Sequence, residues 1–469
     1  MAPLEDQMSD GRKNAVLEDL LAGGGVSIAG STVDLQGADP VLPTRFKIGD
    51  AAAASIAAIG IMANKIWVLR GGSSQRMSVD MRHVAAALRG EHIYTLNGVP
   101  PADVWHEVSG FFQTKDERWV QLHCNIPHLR AGIMNLLGVK EERAAVAAAL
   151  RAMTAIDFEQ AVIGANLCAA MVRSEEEWRS HPHAEAIAGL PLLEVVKIGE
   201  SEPETLATAR RPLEGVRVLD LTHVIAGPVC GRTLAEHGAD VMRISAPHRY
   251  NHQDFVVDTG HGKLSVNLDL RGDEGRDKLF ELVGNADIFA QGFRPGALAR
   301  LGLTPEDLAA RRPGLIYVTL SAFGHAGPWA PRRGFDSLLQ TTTGIAYEGG
   351  EGGAPKHLPA QALDYVTGYL AAFGALVALE RRARVGGSYL VRVSLAQTGR
   401  WIQSLGRVDA KDAAMATIPG VKDVAPWMAE GATDFGTVRY VKPVLHMSET
   451  DPHWVRPTAP FGTDEAVWP

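Results

Sequence analysis

From residue 217 to residue 321 the chain alternates short apolar runs with helical segments, and no other feature limits its fold as strongly. The runs lie at 217–221, 240–244, 287–290 and 315–321, with helical patterns such as 273–283 between them. Strands separated by helices cannot pair as hairpins, so they line up in parallel with the helices covering both faces of the sheet. The fold class that follows is α/β: a doubly wound parallel sheet over 213–405, accompanied by a smaller α+β domain.

A length of 469 residues calls for two or three compact units. Residues 1–35, with the run Gly23-Gly24-Gly25, read as a flexible lead-in. Over 36–90 an Ala-rich apolar helix from Asp50 to Leu69 is stopped by glycines and followed by the strand-like SVDM. Residues 91–200 change texture. An alternating stretch from Phe111 to Cys124 turns at Lys115-Asp116-Glu117, and helical patterns follow at 128–137 and 141–152, giving a small α+β domain. The polar, Pro-bounded stretch 201–212 reads as a linker, and 406–469 as a tail packing on the large domain.

Composition excludes several functions. Hydrophobic residues make up 46% and charged residues 21%, so the chain is globular rather than disordered. A net charge of -8, with lysines and arginines scattered, disfavours nucleic acid as a partner. The polar, acidic start MAPLEDQMSDGRK lacks the pattern of a secretory signal, and the cysteines Cys124, Cys168 and Cys230 form no close pair, so a cytoplasmic location is expected. The longest apolar stretches, 51–63 and 366–379, fall short of the roughly 20 residues of a spanning helix and read as buried helices. No membrane partner is expected.

An internal repeat is visible. KIGDAAAASIAAIGIMA, followed by RGG and SVDM, recurs as QALDYVTGYLAAFGALVAL, followed by VGG and VRVSL, with Asp50 and Asp364 each ten residues before a glycine, Gly60 and Gly374. The chain reads as pieces of two related units. At Ala226-Gly227-Pro228 a strand gives way to a helix whose start suits a phosphate, an arrangement an ordinary βα turn also produces.

The segments LEGVRVLDLT, AGPVCGRTLAEHGADVMRI, GKLSVNLDL, FRPGALARLGL, LIYVTLSAFGHAGP and RGFDSLLQTTTG follow one another in the order and approximate spacing of the class III CoA-transferases, which the chain therefore resembles. The likeness is strongest over 212–400, weaker over 40–200, and returns at PTAPFGTDEAVW. Domain order is rearranged, or partly duplicated, relative to that family and its 2-methylacyl-CoA racemase branch. The resemblance implies CoA transfer between an acyl-CoA and a carboxylic acid through an aspartyl anhydride and an aspartyl-CoA thioester, with Asp364 as the covalent carboxylate. Coenzyme A is then a substrate, with no tightly bound cofactor and no metal. A homodimer is implied, possibly interlocked, since family members complete the site across chains.

By the same resemblance the CoA-binding positions are Ile225, Ala226, Leu268, Arg271, Gly292, Phe293, Arg294, Arg300, Arg333 and Phe335. Guanidinium groups form bidentate bonds to phosphate oxygens, which suits the diphosphate and 3'-phosphate of CoA. Where the family often has an acidic and then a basic residue, this chain has Ser245 and Ala246, so a contact is lost there unless Arg249 supplies it. The glycine-rich loop of several characterised transferases is also absent.

Alternatives remain at this level. Asp364 stands where a helix N-cap would. Asp50 occupies the matching place in the first repeat and reads as a structural relic. The racemase branch uses a histidine that falls at Phe335, and phenylalanine cannot carry a proton. His181-Pro-His183 lacks the further ligands a metal needs. His223 and His325 are placed near the expected cleft without an assigned role, and a catalytically inactive CoA-binding protein is the remaining reading.

Overall fold

A computed structural model describes residues 4–28, 31–250 and 252–469, apart from the side chains of 4–13. The expected parallel strands lie in a seven-stranded sheet, in the spatial order Lys263–Asn267, Asp240–Ser245, Arg217–Leu221, Ile288–Gln291, Ile316–Ser321, Ser388–Ser394 and Leu193–Gly199. The first six pair in parallel, and Leu193–Gly199 runs antiparallel to Ser388–Ser394 at the edge. Numbered along the chain from Arg217, the parallel strands stand 3-2-1-4-5-6, the doubly wound order. Its direction reverses between Arg217–Leu221 and Ile288–Gln291, where the carboxyl ends of neighbouring strands leave a crevice for ligands.

The edge strand corrects the domain boundaries. Leu193–Gly199 falls inside the region assigned to the small domain, but its strand pairing is with Ser388–Ser394 of the large sheet, so the small domain ends before it. A second correction concerns the lead-in. Leu4–Gly23 forms a helix whose Leu17, Leu20 and Leu21 are buried against Ile48–Leu69, and Thr32–Gln36 pairs in parallel with Arg76–Asp80. Gly23-Gly24-Gly25 marks the end of that helix rather than a loose segment; the Gly24 carbonyl accepts from Arg381 at 2.7 Å.

Two long helices form the centre of the molecule. Ile48–Leu69 and Ala362–Val385 have 22 and 24 residues, longer than the apolar stretches suggested and long and apolar enough to cross a membrane. In the fold they pack against each other and their apolar windows are mostly buried, as expected of helices that are hydrophobic all round. Ala362–Val385 also packs on Ala226–Glu236 and on the sheet. The approach is close because residue 368 is glycine; a Cβ there would lie 2.4 Å from the Ala226 carbonyl oxygen and 2.8 Å from the Val229 Cβ.

The small domain wraps Pro127–Leu137, Arg143–Leu150 and Ala155–Gly164 around the strands Gly110–Gln113, Trp119–Leu122 and Ala169–Met171, with Phe112, Val120, Ile133 and Phe158 in its core. It is anchored to the large domain by Arg332, which donates to Glu159 at 3.2 Å and to the Ala169 carbonyl at 2.7 Å; the buried Glu159 also pairs with Arg173. Residues 201–210 carry neither helix nor strand, in keeping with a linker, although Glu204 pairs with Arg312 at 2.6 Å. The tail pairs Leu445–Met447 with Arg76–Asp80 and seats Trp454 and Trp468 on the large domain.

A helical glycine replaced by alanine ordinarily gains up to about 1 kcal/mol, but forcing a methyl into a packed contact costs about 1–3 kcal/mol. At Gly368 the obstacles are backbone and a β-branched side chain that cannot swing away. Gly368→Ala is therefore expected to lower the melting temperature by a few degrees in scanning calorimetry. Gly164→Ala, where nothing lies within 4 Å, should leave it unchanged or raise it.

Candidate active site

The crevice at the strand reversal is a cavity of about 490 Å³. Its floor is the turn after Arg217–Leu221, where Val224 has φ 71°, a costly conformation for a β-branched residue. That turn delivers Ile225 and Ala226 to the start of helix Ala226–Glu236. Gly227 sits where a Cβ would collide with Thr222 at 2.2 Å, so the helix begins tight against the strand end.

Of the residues picked out in the sequence, Ile225, Ala226, Gly292, Phe293, Arg294, Arg333, Phe335 and Asp364 all line this cavity. Leu268, Arg271 and Arg300 line an adjoining cavity of about 440 Å³ whose wall also includes Phe293, Ser245 and Ala246. The two share His223, His248, Arg249, Phe293 and Ala297. These residues line two adjoining cavities, although Arg271 is engaged by Asp269 at 2.6 Å and Arg300 is exposed.

Arg249, Arg294 and Arg333 are among the five arginines that line the larger cavity. Arg249 lies 5.1 Å from the centroid of Phe293 and 3.3 Å from His223 Nε2, and Arg294 donates to Asn166 at 2.8 Å. Burial, and then the charge of Arg333, holds both Arg249 and Arg294 below the usual arginine range. His128 is lowered by burial and by Arg333 and Arg249. Cations that repel one another in a cavity form a site for an anion. Arg249 thereby provides positive charge near Ser245 and Ala246, where the sequence pattern had lost it.

Asp364 lies in the first turn of Ala362–Val385 and is only 6% exposed. The N-cap reading is corrected by the structure: the N-cap is Gln361, without a side-chain cap, and the first-turn donors turn to another helix. Asp336, which opens Asp336–Thr342, accepts from the Asp364 N–H at 2.9 Å and from the Leu363 N–H. The Asp364 carboxylate is therefore left for the cavity. Burial raises Asp336 to about 7. Asp364 is raised well above the usual carboxylate range by burial, then by Asp336 and Glu91.

Behind Asp364, the Tyr365 hydroxyl donates to Glu91 at 2.6 Å and lies 3.2 Å from Asp258, which pairs with Arg232 at 2.8 Å. Glu91 is raised to about 7 by burial. Neither Asp336 nor Glu91 was singled out in the sequence. Asp336 stands inside the quoted RGFDSLL, but its role depends on a helix 28 residues later.

The small domain closes the crevice within the same chain. Ile126, His128 and Leu129 line the main cavity, and His123 stacks on Phe335 with centroids 4.1 Å apart. His223 lines the cavity and is lowered to about 4 by burial, so its ring is neutral near pH 7. His325 lies in a separate cavity, 3.8 Å from Glu194. His181 stacks on Trp178 and His183 on Trp329, and His183 is 2.8 Å from the Phe323 carbonyl, a packing role. Asp50 repeats the backbone device of Asp364: Asp39 accepts from the N–H groups of Asp50 at 2.7 Å and Gly49 at 3.2 Å. Asp50 lines neither of these cavities.

A family model described as CoA-transferase family III matches residues 21–197 and 213–456, two segments that meet at the linker. An acyl-CoA transferase of Gibberella moniliformis is 30% identical over 415 residues, 78% of this chain and 72% of its own length. A probable fatty acyl-CoA transferase of Mycobacterium tuberculosis is 34% identical over 39% of this chain and 50% of its own. A succinyl-CoA–D-citramalate CoA-transferase of Chloroflexus aurantiacus is 36% identical over 39% of this chain and 49% of its own. The chain thus spans about half the length of these last two relatives.

The buried carboxylates make stability depend on pH. With its folded value raised to about 7, Asp336 keeps its proton in the folded state at pH values where the unfolded chain releases it. Its stabilising contribution is complete below the unfolded range near 4 and is lost as pH rises through about 7. Between pH 5 and pH 8 the melting temperature of wild type is expected to fall more steeply than that of Asp336→Asn, whose side chain does not titrate. A gap between the two that is independent of pH would contradict the assignment.

Proposed function

Because this chain belongs to CoA-transferase family III, we propose that it moves coenzyme A between an acyl-CoA and a carboxylic acid, with Asp364 as the covalent carboxylate. One observation carries the reading: a carboxylate left uncapped at a helix start, at the buried end of a crevice that gathers Arg249, Arg294 and Arg333. The arginines suit the phosphates of CoA, and Asp364 stands where the thioester would arrive.

The chemistry follows in balanced steps. Ionised Asp364 attacks the thioester carbonyl, the C–S bond breaks, and a mixed anhydride and CoA thiolate form. The thiolate attacks the aspartyl carbonyl, releasing the donor acid and leaving an aspartyl-CoA thioester. The acceptor carboxylate attacks that thioester to form a second anhydride and free the thiolate, which then takes the new acyl group and returns Asp364. Dividing the transfer in this way replaces one difficult step with easier ones and keeps the thioester energy from water. The helix start favours the ionised form of Asp364, against the burial that disfavours it.

Phe335 occupies the position of the racemase histidine and carries no proton, which favours the transferase over that branch. The small-domain residues that line the Asp364 crevice, Ile126, His128 and Leu129, come from the same chain. Asp50, lacking a place in either cavity, is proposed to be structural.

Asp364→Asn is expected to abolish CoA exchange, a loss on the order of a thousandfold or more. Asp50→Asn should retain it. Hydroxylamine trapping of wild type with an acyl-CoA, read by peptide mass spectrometry, should modify Asp364 alone; modification at Asp50 would overturn the assignment.

A further inference from the structure

Glu91 is buried, and although it lies far from Asp364 in the chain, both residues line one small cavity of about 40 Å³. Its placement is fixed from several sides. Gly90 passes so close to Gln253–Thr259 that a Cβ there would lie 2.6 Å from Asp258 Oδ1, and Arg89 donates to the carbonyl of Pro359, shortly before the Asp364 helix. The Glu91 side chain is held at Oε2 by the Tyr365 hydroxyl at 2.6 Å, one residue after Asp364. Glu91 Oε1 has no hydrogen-bond partner; His92 Nε2 lies 3.5 Å from it without forming a hydrogen bond. A buried carboxyl with one oxygen unpartnered is destabilising, which points to a use other than holding the fold together.

The neighbours of this carboxyl decide its charge. Burial raises Glu91 to about 7; the Tyr365 hydrogen bond opposes that rise, Asp258 adds to it, and Arg89 acts against it. Asp258 is itself paired with Arg232 at 2.8 Å. Asp364 is raised by burial, then by Asp336 and by Glu91. The histidines of the cavity wall, His92, His123 and His252, are all lowered by burial and neutral near pH 7, and among the described residues no lysine or arginine lines it. Asp336 already accepts from two backbone N–H groups. Glu91 and Asp364 therefore carry one negative charge between them more readily than two.

We propose that Glu91 is a positioning residue for Asp364: the two share one proton across the cavity, and Glu91, by holding that proton, leaves Asp364 charged for attack on the thioester. The step is a proton transfer in which the Asp364 carboxyl loses a proton, the Glu91 carboxylate gains it, and no other bond changes. A cavity of this volume has room for water to carry the proton. The inference rests on the transferase reading for what Asp364 does next, and it gives the first part of the chain, through Glu91, a share in the site.

The test is the pH profile of CoA exchange, with each enzyme compared with its own plateau. Glu91→Gln keeps an oxygen for the Tyr365 hydroxyl but does not titrate, so Asp364 should ionise more easily and the acidic limb of kcat/KM should move down by roughly one pH unit. Tyr365→Phe leaves Glu91 in place and removes the donor that favours its charged form. It should move the limb the same way by less, and it decides the matter if calorimetry shows that Glu91→Gln does not fold. A role confined to packing would lower the plateau and leave the limb where it is, so a limb that stays, or moves up, in a folded variant overturns the proposal. Infrared titration of the carboxyl bands reads the same shift without turnover, the Asp364 band being the one lost in Asp364→Asn. If that band moves in Glu91→Gln while wild type fails to exchange CoA, the transferase reading falls and the shared proton stands. If wild type exchanges CoA and neither limb nor band moves, the shared proton alone falls.

Discussion

Two backbone N–H groups at the start of Ala362–Val385 donate to one carboxylate, that of Asp336, and the rest of the site is arranged around this contact. A helix start buried in protein cannot leave its first donors without partners. By meeting that need from a neighbouring helix, Asp336 frees the side chain of Asp364 from capping its own helix. The same contact brings two carboxyl groups together where water is scarce, so both hold protons more strongly than usual. The proposed nucleophile therefore stands in an environment that resists its ionisation, and the positive end of the helix acts against that resistance.

The same device recurs around Asp39 and Asp50, and the surrounding strands repeat as well. Ser388–Ser394, after the Asp364 helix, lies between a parallel and an antiparallel neighbour; Arg76–Asp80, after the Asp50 helix, does too. What differs is the company each aspartate keeps. The Asp364 helix packs on Ala226–Glu236 and the seven-stranded sheet, whose strand reversal opens the crevice, whereas the sheet beside Asp50 has three strands. A shared local geometry becomes a site only where an α/β unit and a small domain meet over it.

Elements set by local pattern were legible in the sequence. The strands at 217–221 and 315–321 and the helix Asp273–Val283 emerge close to their expected limits, because apolar periodicity and turn residues report directly on local structure. Leu193–Gly199 was placed in the wrong unit because its hydrogen-bond partner lies far along the chain and leaves no local mark. Leu4–Gly23 reads as a loose segment in the sequence because its burial depends on the Asp50 helix rather than on a strong pattern of its own. The crevice residues were found through motifs, and Asp364 with them. Asp336, Glu91 and His123 were not, because each acts through a tertiary contact: a borrowed cap, a tyrosine hydroxyl and a stacked ring.

One chain brings its own small domain to Asp364. Complementation tests it most directly: Asp364→Asn is co-expressed with Ile126→Trp, which obstructs the crevice from the small-domain side. Each variant is expected to be inactive alone, and the mixture should be no more active than its parents, since neither chain holds an intact site. Recovery of CoA exchange in the mixture would mean that the small domain of one chain serves the aspartate of another, and would contradict the account.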